Sequence, residues 1–302
     1  MPDVTFIYPV LRDDFVRKSL ETLYRFTDPS KFRVIVVDQT IKGIPDLKAD
    51  MVIRMKNQGF AKAANEGMIH GLRWGTPYVA VVNDDVEFIY GKWWEDLLEE
   101  FKTDPRIIAV NPMCPKIAMW GYGMTEGEYL EILPYKESYS QSDIAYLKAG
   151  NYNEAEIRSR HPFDIPKSFP FTQRGVVDAF AGWLPVFKRE ALLEVGLYDE
   201  RFVWGNGEDY DWMARAYSCA WPIERDVCDP KYHKRAVSTM KSWVYHFWGQ
   251  SKDRAFELDP RLFEGRESWN RLDLLWPDGM DVWGHRNGIP LKRVPDIYVH
   301  IP

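Results

Sequence analysis

Three consecutive polar residues, Asn83, Asp84 and Asp85, end an apolar run that begins at Tyr78. In an extended chain the side chains alternate between two sides, so Asn83 and Asp85 point one way and Asp84 points the other. An Asn and an Asp on one side offer oxygen ligands to Mg²⁺ or Mn²⁺, which leave coordination positions for substrate phosphates. Because Asn and Asp are also frequent in turns, these residues alone fit both a metal site and a simple turn.

A second acidic cluster, formed by Glu208, Asp209 and Asp211, stands at the predicted start of a helix. Acidic groups at that end complement the helix dipole, so a structural role is open to all three. Asp211 lies four residues before Arg215, and we expect the two to form an exposed pair along the helix. Asp209 has Met213 at the same offset. The crowding of carboxylates favours proton uptake, so Asp209 is the candidate general base.

A lone histidine, His246, lies within the aromatic stretch SWVYHFWGQS. A histidine in such surroundings is commonly a packed residue with satisfied hydrogen bonds, although imidazole is also a common metal ligand. The position of His246 relative to the acidic clusters decides between these two roles.

Gly59 stands at a predicted loop-to-helix junction in the segment NQGFAKAANEG, from Asn57 to Gly67. The small residues after Gly59 allow a helix to lie close against a sheet, and the free amides at its start can face an anion. Close packing alone also explains the small residues, and the chain has no P-loop or G-x-G-x-x-G motif.

Short β-rich runs alternate with amphipathic helical stretches through the first third of the chain. This alternation predicts an α/β fold with βαβ units around a mostly parallel sheet. Such sheets bind ligands beyond the carboxyl ends of their strands, where Asp38 and the Asn83–Asp85 stretch fall. We predict strands at 4–10, 32–38, 51–55, 78–84 and 107–112, and helices at 13–26, 60–74 and 92–102.

The pattern weakens from 113 to 175, where Gly, Pro, Tyr and scattered charges dominate. A long segment without periodicity is more often a functional insertion or lid than a passive connection. Regular patterns return with a strand-like run from 176, helices at 188–195 and from 207, and a further strand-like run at 222–227. The tail after 251 reads as an irregular extension.

Composition restricts the class of protein further. The chain has 302 residues, 45% hydrophobic and 28% charged, with a net charge of −6, which is typical of a soluble globular protein and makes nucleic acid a disfavoured partner. Its three cysteines show no C-x-x-C spacing, which favours a reducing cytoplasm over a disulfide framework or structural zinc. We find no basic leader and no transmembrane segment of about 20 apolar residues, and docking on a membrane surface stays open.

In their order along the chain, these segments resemble the inverting family 2 glycosyltransferases with the GT-A fold. The likeness covers roughly the first 250 residues apart from the insertion, which is about the size of one large α/β domain. The matching segments are FIYPVLRDDFVRKSLETL, VIVVDQT, NQGFAKAANEG, VVNDDVEF, AGWLPVFKREALLEVGLYDERF, GEDYDWMARA and HFWGQS.

The resemblance implies a nucleotide-diphosphate sugar donor of the UDP, dTDP or GDP type and a Mn²⁺ or Mg²⁺ cofactor. Asp85 corresponds to the metal-coordinating residue of the family's D-x-D motif, with Asn83 in place of the first Asp, and His246 matches a histidine that holds metal or diphosphate in some relatives. Asp209 matches the catalytic base. The resemblance further implies donor-binding residues and residues that contact or support the acceptor. The donor-binding set is Pro9, Asp38, Asn57, Gly59, Asn65, Asn83 and Asp84, and the acceptor or support set is Trp183, Trp204 and Glu208.

The predicted organisation is one Rossmann-like GT-A domain over 1–250 and a C-terminal extension over 251–302. Within the domain, 1–112 would bind the nucleotide sugar, 113–175 would be the insertion or lid, and 176–250 would hold the acceptor and the base. A glycan, a lipid-linked sugar or a protein is the expected acceptor, with nucleic acid least favoured. Two alternatives stay open, namely a sugar nucleotidyltransferase and a non-catalytic carbohydrate-binding protein.

Overall fold

The computed structural model describes residues 1–88, 91–113, 176–177, 182–202, 207–218 and 234–246. Its helices are α1 (Asp13–Phe26), α2 (Phe60–Trp74), α3 (Trp93–Thr103), α4 (Arg189–Val195) and α5 (Glu208–Ser218), with a short 3₁₀ turn at Pro29–Lys31. Its strands are β1 (Val4–Val10), β2 (Phe32–Asp38), β3 (Met51–Arg54), β4 (Tyr78–Val81), β5 (Val86–Phe88), β6 (Ile107–Met113), β7 (Val176–Val177), β8 (Val186–Lys188) and β9 (Arg235–His246).

The strands of the described residues form one sheet in the order β3-β2-β1-β4-β8-β6-β9-β5, with β7 paired to β9. Strands β1, β2, β3 and β4 are parallel to their neighbours on this half, and β6 is parallel to β9. Strand β8 runs antiparallel between β4 and β6, while β5 and β7 are antiparallel to β9. The predicted α/β class with a mostly parallel sheet is confirmed.

Helices cover both faces of the sheet, and each face has its own apolar core. On one face, α1 and α3 bury aromatic and aliphatic side chains against β1, β2 and β6, including Trp93 and Phe6. On the other face, α2, α4 and α5 pack on the same strands around Phe187, Tyr198 and Trp212. No helix within the described ranges is long and apolar enough to cross a membrane.

The predicted bounds of α1, β1, β2 and α2 are confirmed, and α3 begins one residue later than predicted. Strand β4 ends at Val81 instead of reaching 84, and β3 ends at Arg54. Sequence reasoning missed β5 and β9. The polar residues of β9 break its alternation, but they pair with buried groups: Ser242 donates to the Trp93 carbonyl at 2.8 Å and Thr239 donates to Glu100 at 2.7 Å.

Several predictions concern residues outside the described ranges. These are the insertion from 114 to 175, Trp204, the strand-like run at 222–227 and the extension at 251–302. The division into donor half, lid, acceptor half and extension therefore stays a prediction.

Helix α2 lies unusually close to the sheet at Gly67. A Cβ built on Gly67 would overlap Cγ2 of Ile7 and lie 3.2 Å from Cγ2 of Val37. Both neighbours are β-branched residues of central strands, so their side chains have little freedom to move away. Gly67 therefore sets how near α2, and the loop that precedes it, can come to β1 and β2.

We predict that Gly67→Ala destabilises the fold by about 1–3 kcal/mol because the added methyl overpacks this contact. Gly71→Ala is the matched control on the same helix, since its Cβ would meet no atom closer than 3.3 Å. Urea unfolding of both variants measures the difference. Equal stability of the two variants would show that α2 can shift without cost.

Candidate functional site

The end of β4 and the end of β9 meet at a contact between Asp85 and His246. Strand β4 stops at Val81, the chain turns at 84–85, and β5 then pairs antiparallel with β9 so that Val86 faces His246. This register places His246 Nε2 3.1 Å from Asp85 Oδ1 and 3.2 Å from Asn83 Nδ2. The structure thus brings together three residues that the sequence assigned to the metal and donor site.

Asp84 points away from this group, as the alternation predicted, although a turn rather than an extended strand produces the arrangement. Its Oδ2 accepts hydrogen bonds from the backbone amides of Leu11 at 3.0 Å and Arg12 at 3.1 Å. These amides lie between β1 and α1. Asp84 therefore fixes the turn against the β1–α1 loop, which holds Asn83 and Asp85 in place.

Trp183 supports His246 from the side. Its indole stacks on the imidazole with ring centroids 6.0 Å apart, and its Nε1 donates to the Pro112 carbonyl at 3.0 Å. The Trp183 backbone carbonyl accepts a hydrogen bond from the backbone N–H of Asn83 at 2.9 Å. Because Trp183 is buried, the support role fits it, and direct contact with an acceptor would need a rearrangement.

Glu208 and Asp209 begin α5 and lie against Gly182, the neighbour of Trp183. A Cβ on Gly182 would be 3.3 Å from Asp209 Oδ2 and 3.7 Å from Glu208 Oε1. Both carboxylates are largely buried, and Asp209 Oδ1 accepts the Tyr210 amide at 2.8 Å. The Gly182–Trp183 dipeptide therefore links the acidic pair of α5 to the Asp85–His246 contact.

Tyr198 lies behind the acidic pair, on the core side. Burial, followed by the negative charges of Glu208 and Asp209, raises the pKa of its hydroxyl well above the usual value, so it stays protonated at neutral pH. Asn65 holds this residue through both backbone groups, donating to the Tyr198 carbonyl at 2.8 Å and accepting its amide at 3.0 Å.

Asn65 was predicted to bind the nucleotide, but the structure places it in the core. It is fully buried, and its Nδ2 also lies 3.1 Å from Glu200 Oε1. Its amide therefore connects α2 with the 198–200 segment, and contact with a donor stays an untested prediction.

Three further residues that were predicted to bind the donor lie near the carboxyl edge of the sheet. Asn57 Oδ1 accepts the Gly59 amide at 3.1 Å, and Gly59, with φ of 97°, caps the start of α2. Pro9 lies in β1 opposite Val37. This backbone arrangement turns the start of α2 toward the edge at which β1 and β2 end.

Asp38 ends β2 at this edge with its carboxylate turned inward. Oδ1 accepts from the amide and the hydroxyl of Thr40 at 2.9 and 2.6 Å, and Oδ2 accepts from the Ile44 amide at 2.8 Å. Its side chain is 0% exposed. Asp38 therefore shapes the loop that follows β2, and its predicted contact with a nucleoside is not tested.

The group around Asp85 fits a divalent cation such as Mn²⁺ or Mg²⁺. Ligands about 2.1 Å from one ion and at right angles to each other lie about 3 Å apart, which agrees with the 3.1 Å between Asp85 and His246. Asn83 Oδ1 is buried and has no hydrogen-bond partner among the described residues. The described ranges contain no group of three or more His, Cys, Asp or Glu that could hold a metal.

Sequence reasoning did not single out Gly182 or Tyr198. A single glycine in a turn and a single tyrosine in a core segment carry no pattern, and their roles follow from packing against Glu208 and Asp209.

No family model matches the chain. A curated relative, a galactofuranosyl glycosyltransferase of Leishmania donovani, is 25% identical in an alignment 171 residues long, which covers 53% of this chain and 37% of that protein. The chain thus spans little more than a third of the length of that relative.

Solved structures of three other proteins are similar to the chain. The mannosyltransferase PcManGT from Pyrobaculum calidifontis, in complex with GDP-Man and Mn²⁺, has a TM-score of 0.47 and 18% identity, and the match covers 82% of this chain and 57% of that chain. Residues 1–349 of TarS from S. aureus have a TM-score of 0.46 and 11% identity, with 88% of this chain and 66% of that chain covered. GalNAc-T7 with UDP, GalNAc and Mn²⁺ has a TM-score of 0.49 and 12% identity, with 90% of this chain and 54% of that chain covered.

The predicted pair between Asp211 and Arg215 is confirmed, but it is buried rather than exposed. Arg215 Nε lies 2.9 Å from Asp211 Oδ2, and the two side chains are 8% and 0% exposed. The guanidinium also donates to the Val195 and Leu197 carbonyls, both at 2.7 Å. The pair therefore ties α5 to the end of α4.

We predict that Asp211→Asn destabilises the fold by about 3–5 kcal/mol, because it leaves the Arg215 charge buried without its counter-ion. Asp13→Asn is the control: it removes an i,i+4 pair with Arg17 whose side chains are 51% and 42% exposed, and we expect less than about 1 kcal/mol. Urea unfolding measures both. Similar losses in the two variants would contradict a structural role for the buried pair.

Proposed function

We propose that this chain is a metal-dependent inverting glycosyltransferase of the GT-A type, which transfers a sugar from a nucleotide-diphosphate donor to an acceptor hydroxyl. The observation that carries this proposal is the placement of two functional pairs, Asp85–His246 and Glu208–Asp209, against the two residues of one dipeptide, Gly182–Trp183. The sequence likeness to a glycosyltransferase over 171 residues supports it.

Asp85 and His246 would hold Mn²⁺ or Mg²⁺ together with the donor diphosphate, and the Asn83 amide oxygen is available beside them. The metal supplies charge neutralisation for the leaving diphosphate. Asp84 keeps this group aligned with the β1–α1 loop. Replacement of the first Asp of a D-x-D motif by Asn83 lowers the negative charge of the site, which makes the protein more dependent on the phosphates for holding the ion.

Asp209 would act as the general base. It accepts the proton of the acceptor hydroxyl while that oxygen attacks the anomeric carbon and the bond to the diphosphate breaks on the opposite face. One displacement of this kind inverts the anomeric carbon. Asp209 lies against Gly182, where a Cβ would come within 3.3 Å of its Oδ2, and its Oδ1 accepts the Tyr210 backbone amide at 2.8 Å.

The donor is of the UDP, dTDP or GDP type, and the acceptor is a hydroxyl of a glycan, a lipid-linked sugar or a protein. The net charge of −6 disfavours a nucleic-acid acceptor because phosphate-backbone binding depends on positive surface charge. We place the reaction in the cytoplasm, with docking at a membrane surface as the route to a lipid-linked acceptor.

Replacing Asp209 with Asn keeps its shape but removes the proton acceptor. We predict that Asp209→Asn lowers transfer by about 10²- to 10⁴-fold while donor affinity changes little. Glu21→Gln, at an exposed position of α1, serves as the control and should retain full activity. Near-normal transfer by Asp209→Asn would place the base elsewhere, with Glu208→Gln as the next variant to assay.

Metal dependence is tested by binding rather than by activity. We predict that Mn²⁺ strengthens binding of a nucleoside diphosphate to the wild-type protein, and that Asp85→Ala reduces this enhancement by at least about tenfold. Calorimetry with and without Mn²⁺ measures it, with Glu99→Gln on the exposed face of α3 as the control. An undiminished Mn²⁺ effect in Asp85→Ala would remove Asp85 from the metal site.

A further inference from the structure

Arg54 ends β3 at the carboxyl edge of the sheet, in register with Asp38 of β2. Its side chain is 57% exposed, and its Nε lies 3.8 Å from Asp38 Oδ2, beyond hydrogen-bond distance. Because the Asp38 oxygens are already engaged by Thr40 and Ile44, an exposed ion pair of this length adds little stability. The guanidinium makes no hydrogen bond within the described part of the chain, so its N–H donors are available to a ligand.

The guanidinium is nevertheless held in place. A Cβ built on Gly43 would overlap Cζ, Nη1 and Nη2 of Arg54, so the planar group stacks directly on the backbone of the loop after β2. Gly43 has φ of 74°, a conformation that glycine adopts readily. Gln58, near the start of α2, donates to Gln39 in the same loop at 3.3 Å. Arg54 thus lies against the loop after β2, which this hydrogen bond joins to the segment before α2.

We propose that Arg54, in place of the buried Asp38, contacts the nucleobase of the donor and selects bases with a carbonyl oxygen at the contacted position, C4 of uracil or C6 of guanine, over cytosine and adenine, which carry an amino group there. This inference rests on the proposed function, because it concerns the donor of that reaction. A guanidinium only donates hydrogen bonds. A side chain that presents donors can pair with O4 of uracil or with O6 and N7 of guanine, whereas the amino groups of cytosine and adenine would face it with like donors.

The UDP–CDP pair tests the proposal most directly, since uracil and cytosine differ at the 4-position and the diphosphates are the same. We expect wild-type protein with Mn²⁺ to bind UDP about 10- to 100-fold more tightly than CDP in calorimetry, and GDP more tightly than ADP. Arg54→Met removes the donors while retaining the length of the side chain. This variant should reduce the ratio of UDP affinity to CDP affinity to about one, mainly through weaker UDP binding.

Lys56→Met is the matched control, because it removes one exposed positive charge two residues along the same edge. It should weaken the binding of UDP and CDP equally, if at all, so the ratio of their affinities should not change. Equal loss of UDP and CDP affinity in Arg54→Met would mean that Arg54 contacts the diphosphate, and would overturn the proposal while leaving the glycosyltransferase assignment intact. Absence of binding by all four nucleotides and by dTDP would overturn both.

Discussion

The pairing of Val86 with His246 is the contact on which the candidate site depends. It joins the turn after β4 to the last described strand, although the two segments are separated by about half of the chain. Asp85 and His246 are both largely buried, so their contact offsets part of the cost of burying the Asp85 carboxylate. Strand β9 is in turn secured along its length by Arg235 with Asp104 and by Ser242 with the Trp93 carbonyl.

Three carboxylates around the site are buried, and each accepts hydrogen bonds or forms an ion pair. Asp84 accepts two amides of the β1–α1 loop, Asp38 accepts groups of its own loop, and Asp211 pairs with Arg215. Asp84 connects the turn after β4 to the β1–α1 loop, Asp38 orders the loop that follows it, and the Asp211–Arg215 pair reaches the end of α4 through the guanidinium. The carboxylates that stabilise the fold thereby also set the orientation of Asp85 and Asp209, which we assign to chemistry.

Local patterns in the sequence were sufficient to predict the helices and strands of the first half other than β5. The bounds of α1 and α2 follow from amphipathic spacing, and the strands β1 and β2 from dense apolar runs. Strand β9 could not be predicted in this way, since burial of the Thr239 and Ser242 hydroxyls becomes favourable only with their hydrogen-bond partners on α3, Glu100 and the Trp93 carbonyl. The spacing of Asp211 and Arg215 predicted their pairing, but their burial depends on how α5 packs on α4.

The same limit applies to the site. The sequence selected Asn83, Asp85 and His246, and the register of β5 with β9 explains why they meet. It also placed Asn65 and Asp38 in the nucleotide pocket, whereas their hydrogen bonds run to Tyr198 and to the loop after β2. Whether a polar side chain faces a ligand or the protein interior depends on tertiary contacts that no local motif contains.

In the proposed site, one metal ion would contact both the protein, through His246, and the donor diphosphate. Pulsed electron paramagnetic resonance of Mn²⁺ with the protein and a nucleoside diphosphate tests this arrangement. We expect nitrogen coupling from an imidazole and phosphorus coupling from the diphosphate on the same ion, with the nitrogen signal lost in His246→Ala. Phosphorus coupling without nitrogen coupling in the wild-type protein would contradict it.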